Sequence, residues 1–106
     1  MSKHTKGSWH VSDNTHHGCR LIYGPDGFLV ADAGRIPRRS EEEMDANARL
    51  IAAAPELYNV AILGKKARDC QRAYFDNRTR ENLIASKQAE KEFDDALKAA
   101  FAKVEL

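Results

Sequence analysis

A chain of 106 residues holds one domain, because a second core would be too small to offset its chain entropy. Its 17 Lys and Arg against 16 Asp and Glu leave a formal charge of +1, which excludes both a strongly acidic DNA mimic and a broad basic field for nucleic acid. Cys19 and Cys70 allow at most one bridge, no apolar stretch of a secretory signal opens the chain, and no run approaches the roughly 20 apolar residues of a membrane helix. The expectation is a soluble protein of the cytoplasm with reduced thiols.

In chain order, residues 1–8 are polar. Trp9-His10-Val11-Ser12 alternates apolar and polar, as a half-buried strand does. Two β-type runs, Arg20 to Tyr23 and Phe28 to Ala31, flank Gly24-Pro25-Asp26-Gly27. Pro25 sets φ at the first turn corner, Asp26 tolerates the second, and Gly27 accepts a positive φ. This predicts a β-hairpin over about residues 20–32, with Trp9 to Ser12 as a third strand.

Gly34 to Arg39 is a basic connector. Ser40 then opens a helix with a capping box, its hydroxyl accepting from the Glu43 N–H while the Glu43 carboxylate reaches back. Glu41, Glu42 and Glu43 favour the positive end of the helix dipole. Met44, Ala48, Leu50, Ile51 and Ala54 are expected on the inward arc, and Asn47 with them as a core amide tied to the hairpin backbone. Pro55 cannot continue the ladder and suits the first turn of a new helix, so a kink or break is expected near Ala54.

Helices over about residues 56–75 and 80–104 then form an αα-hairpin, with Thr79 as N-cap. Leu57, Val60, Ala61, Gly64, Ala67, Gln71 and Tyr74 face inward on the first. Ala89, Phe93, Ala96, Leu97, Ala100, Phe101 and Val104 face inward on the second. The fold class is α+β: residues 9–33 form a small antiparallel sheet and 40–106 the helices, in a single domain over 1–106.

Four groups of residues suggest chemistry. His10, His16, His17 and Cys19 are metal-ligand types within ten residues, but their spacing matches no zinc finger, and no metal or cofactor is assigned. Arg35, Arg38 and Arg39 stand before a helix N-terminus, where guanidinium forks and N–H groups hold phosphate or an acidic surface. The three glutamates that follow oppose this by pairing with the arginines. Arg49 projects away from the core and is available to a partner. Trp9 and Tyr23 are the aromatic candidates for recognition or base stacking, although the one tryptophan of a small protein more often caps the core, here over the hairpin. No P-loop, dinucleotide fingerprint or nucleophile elbow is present, and no enzyme is expected.

The segment Asn47-Ala48-Arg49-Leu50-Ile51-Ala52-Ala53-Ala54-Pro55-Glu56-Leu57 resembles a motif common in small proteins of tailed bacteriophages and prophages. Gly7-Ser8-Trp9 and the Tyr23-Gly24-Pro25-Asp26-Gly27 turn fit the same family. The resemblance spans roughly residues 5–60, and Tyr58-Asn59 departs from the leucine-rich continuation of the family. Small phage proteins of this kind often act on the host, by inhibiting a defence complex such as a CRISPR effector, sequestering a signalling nucleotide or redirecting a host enzyme.

The resemblance implies a non-enzymatic inhibitor in the host cytoplasm that occupies a host protein's surface. A second reading is an oligomeric nucleotide sponge, with Arg35, Arg38, Arg39 and Arg49 clamping phosphates and Tyr23 or Trp9 stacking on a base. A third is a nucleic-acid binder, which the balanced charge disfavours. A self-assembling structural phage protein is a further alternative. Tyr58 and Ile62 lie off the inward face, so the helical hairpin is expected to pack against a second copy.

Overall fold

The computed structural model describes residues 3–12, 19–34 and 39–105. Three strands, β1 (His10–Val11), β2 (Leu21–Tyr23) and β3 (Leu29–Asp32), precede three helices, α1 (Glu41–Ala52), α2 (Ala54–Asp76) and α3 (Arg80–Glu105). The strands pair antiparallel in the order β1-β2-β3, which makes the chain α+β as expected. Backbone proximity divides it into two units, Met1–Pro55 with Ala102–Leu106, and Glu56–Phe101.

In the first unit the β2–β3 turn closes through a Gly27 N–H to Gly24 carbonyl bond of 3.1 Å. Gly27 sits at φ 82°, where a side chain is strained. Asp26 accepts from the Phe28 N–H at 3.1 Å, an Asx bond that stiffens the corner. Ahead of β1 the chain crosses this turn. Trp9 Nε1 donates to the Thr5 carbonyl at 3.1 Å. Gly7, at φ 86°, lies so close that a Cβ there would stand 2.8 Å from Pro25 Cγ.

Ile22 pairs with Ala31 while Tyr23 pairs with Leu29, so Val30 is an extra residue in β3. Such a bulge locally suspends the in–out alternation of a strand. Val30 and Ala31 accordingly both pack on the core of Ile22, Ala48 and Ala52. Burying a side chain the size of Ile22 contributes about 1.5–3 kcal/mol, and the two alanines let α1 approach the sheet closely.

Helix α1 starts as predicted: Ser40 Oγ accepts from the Glu43 N–H at 3.1 Å. The return half of the expected capping box is replaced, because Glu43 accepts from Arg39 Nη1 at 2.5 Å. The buried stripe is Met44, Ala48 and Ala52, one residue per turn. Leu50 and Asn47, both expected inward, are exposed. At 100° per residue Leu50 lies about 200° from Ala48 and Asn47 about 100°, outside so narrow a stripe. Helix α1 stops at Ala53, which is buried, and α2 starts one residue later with Pro55 in its first turn.

In the second unit α2 and α3 run antiparallel, as expected. Thr79 Oγ1 caps α3 by accepting from the Asn82 N–H at 3.1 Å. Asn82 Nδ2 donates back to the Asn77 carbonyl at 2.8 Å and the Ala73 carbonyl at 3.3 Å, locking the connection. Ala67, Ser86 and Ala89 are buried, and Gly64 faces the Phe93 ring. Leu57, Ala61 and Phe101, all expected inward, are exposed, Leu57 to 38% and Phe101 to 57%. Phe101 stands one residue, about 100°, beyond the buried Ala100. Leu57 lies in the opening turn of α2, at the same end of the hairpin.

Candidate functional site

Strand β3 is an edge of the sheet, with β2 on one side and no strand on the other among the described residues. Unpaired strand edges are templates for another chain, and proteins ordinarily blunt them with charge or proline. Here the edge opens with apolar groups instead. Phe28 is 73% exposed and Leu29 54% exposed, side by side where the turn enters the strand. Two causes hold them outward. The turn bonds fix Phe28 beside Gly24, whose N–H donates to the Phe28 carbonyl at 3.0 Å, and the Val30 bulge takes the core position. The arrangement offers an aromatic anchor and a row of backbone donors and acceptors, the two ingredients of strand addition.

The candidates read from the sequence are distributed differently. Trp9 is half-buried, packs on the Ile22 cluster and accepts from Lys103 Nζ at its carbonyl, 2.6 Å away. Tyr23 stacks on His10 across the β1–β2 pair, with ring centroids 6.1 Å apart at 29°. Arg39 pairs with Glu43, one turn on, as the local alternative to phosphate binding anticipated. Arg49, at the far end of α1, turns inward far enough for its Nε to donate to the Val104 carbonyl at 3.4 Å. That bond neutralises a carbonyl of the last turn of α3. Arg39 and Arg49 thus stand at opposite ends of a 12-residue helix rather than in one clamp.

Arg35, Arg38, His16 and His17 lie outside the described residues. Cys19 and Cys70 are free and half-buried. Among the described residues no group of three or more His, Cys, Asp or Glu is placed to hold a metal ion.

Sequence reasoning passed over Arg20, which the structure buries to 5% exposure in the strand region. Its Nε donates to Asp45 at 2.9 Å and its Nη2 donates to Glu41, one turn earlier on α1. Hydrogen bonds to Glu41 first, then Asp45, raise its pKa further, so it stays charged at every accessible pH. Glu41 and Asp45 at spacing four were the available signal.

Fold and edge together define a small α+β protein with an open apolar sheet edge, and none of its described helices is long and apolar enough to cross a membrane. It is a phage protein: the chain belongs to the family described as Salmonella phage P22 protein Y8K6, which matches over residues 1–105. The match therefore covers both units, and it bears out a phage protein family. No curated protein and no solved structure matches the chain.

Proposed function

We propose that this phage accessory protein is a non-enzymatic inhibitor that binds a host protein through the Phe28–Leu29 edge of β3. The concrete form is counter-defence, an anti-CRISPR-like block of a host effector by strand addition. The observation that supports it is a large aromatic and a leucine held outward on an unpaired edge, where charge or proline is the usual guard. Strand addition supplies affinity through main-chain bonds and specificity through one or two seated side chains. Phe28 is the anchor of that pair.

The test is affinity purification from infected host cells with the wild-type chain and with Phe28→Asp/Leu29→Asp. The wild type is expected to retain one host protein in stoichiometric amount, and the double variant to lose it while keeping its helical content. Recovery of the protein alone, or of the same partner by both chains, ends this reading.

A further inference from the structure

In the second unit, α2 and α3 leave one side of their hairpin unfilled. Two grooves of about 480 and 330 Å³ lie end to end there, both bordered by Gln71 and Glu90. The Gln71 Nε2–Glu90 Oε1 bond of 2.6 Å bridges the helices between them. Gly64, Ala67 and Phe93 line the first groove; Tyr74, Leu83 and Ser86 line the second.

Positions along this side follow a coiled-coil seam. On α2 it carries Leu57, Ala61, Gly64, Arg68, Gln71 and Phe75, at alternating spacings of four and three. On α3 the seam of Leu83, Lys87, Glu90, Asp94, Leu97 and Phe101 keeps the same repeat over residues 83–101. Both seams are apolar at their ends and charged in the middle. Phe75 is 66% and Phe101 57% exposed, so the apolar ends meet solvent. Arg68 borders the first groove from α2 and Asp94 from α3, and neither makes an ion pair or hydrogen bond among the described residues.

From these seams the geometry points to a second copy of this chain as the occupant, packed face to face about a two-fold axis parallel to the helices. That operation sets α2 of one copy antiparallel over α3 of the other at the same level. Arg68 then meets the Glu90–Asp94 stretch of its counterpart, twice by symmetry. The apolar ends coincide in the same register, Leu57 with the Phe101 end and Phe75 with the Leu83 end. The other face-to-face two-fold sets α3 over α3; in the register that matches the apolar ends, Lys87 falls opposite Leu97 and Glu90 opposite Asp94, which repels. Charge therefore selects both the occupant and its orientation. The inference is independent of the host-binding reading, which concerns a different surface.

The test uses the full chain, with mass measured by light scattering and sedimentation at micromolar concentration. The wild type is expected to be a dimer. Arg68→Glu and Asp94→Arg should each weaken it by at least about tenfold, since each creates two like-charge contacts. Mixing the two variants should restore dimers. The glutamate introduced at position 68 of one copy would then face the arginine introduced at position 94 of the other, and the remaining contact would be the native Arg68–Asp94 pair. Circular dichroism confirms that both variants keep their helices. A monomeric wild type, a dimer indifferent to Arg68→Glu, or variants that fail to rescue each other would each overturn the proposal.

Discussion

Arg20 Nε and Asp45 Oδ1 meet at 2.9 Å across 25 residues of sequence, and they join the sheet to α1. The guanidinium is 6% exposed while Asp45 remains 50% and Glu41 74% exposed. The arginine therefore surrenders its water for two carboxylates that keep theirs. Arg20→Met is expected to lower the thermal midpoint by roughly 5 °C or more. Asp45→Asn should cost less, since Glu41 still faces the guanidinium. Equal midpoints for the two variants would place the stabilising role elsewhere.

Among the described residues, Ser40 is the one side chain that accepts from the first turn of α1. Ser40→Ala should cost about 1 kcal/mol in denaturant unfolding, and Ser40→Asp should retain most of the stability. An alanine variant as stable as the parent would show that solvent serves that N–H equally well.

Gly64 faces Phe93 so closely that an added Cβ would stand 3.0 Å from Cε1 and 3.3 Å from Cζ. Alanine would ordinarily gain about 1 kcal/mol in a helix interior. Here the ring must give way by a few tenths of an ångström, so Gly64→Ala should show little of that gain. In a Phe93→Leu background the gain should reappear. A larger residue, as in Gly64→Leu, should cost about 1–3 kcal/mol by overpacking.

Acid should loosen the helical hairpin. The hydrogen bond from Lys65 holds the Asp69 carboxyl below its ordinary pKa, and bonds from Lys66 and then Gln88 do the same for Glu92. A folded-state pKa below the unfolded one contributes stability that is complete above the unfolded value and is lost as pH falls through the lowered one. The loss therefore falls below about pH 4. These groups are largely exposed, so the effect is small and salt screens it. Lys66→Met should flatten the low-pH end of a helicity titration, and an unchanged titration would remove Glu92 from the account.

Local chemistry made much of the fold readable. Gly24-Pro25-Asp26-Gly27, Ser40 with its glutamates, Pro55 and Thr79 each act within four residues, and each element begins or turns where they stand. What escaped depends on distance along the chain. The outward turn of Leu29 follows from a bulge set by pairing register, and the burial of Arg20 follows from carboxylates more than twenty positions away. Leu50 and Asn47 escaped for another reason: the sheet needs only the narrow stripe of Met44, Ala48 and Ala52, so neither the leucine nor the amide beside it is buried. For the candidate site, the packing of Trp9 over the hairpin core was legible from its being the one tryptophan, whereas the stacking of Tyr23 on His10 depends on cross-strand register and was not.

Strand β3 holds one surplus residue, and the pairing on either side of it fixes which way its leucine faces. Removing Val30 would leave Ala31 opposite Ile22 and Leu29 opposite Tyr23, so the leucine would keep its outward face while the core lost the valine. A single codon deletion would thus straighten the strand without dulling its sticky rim.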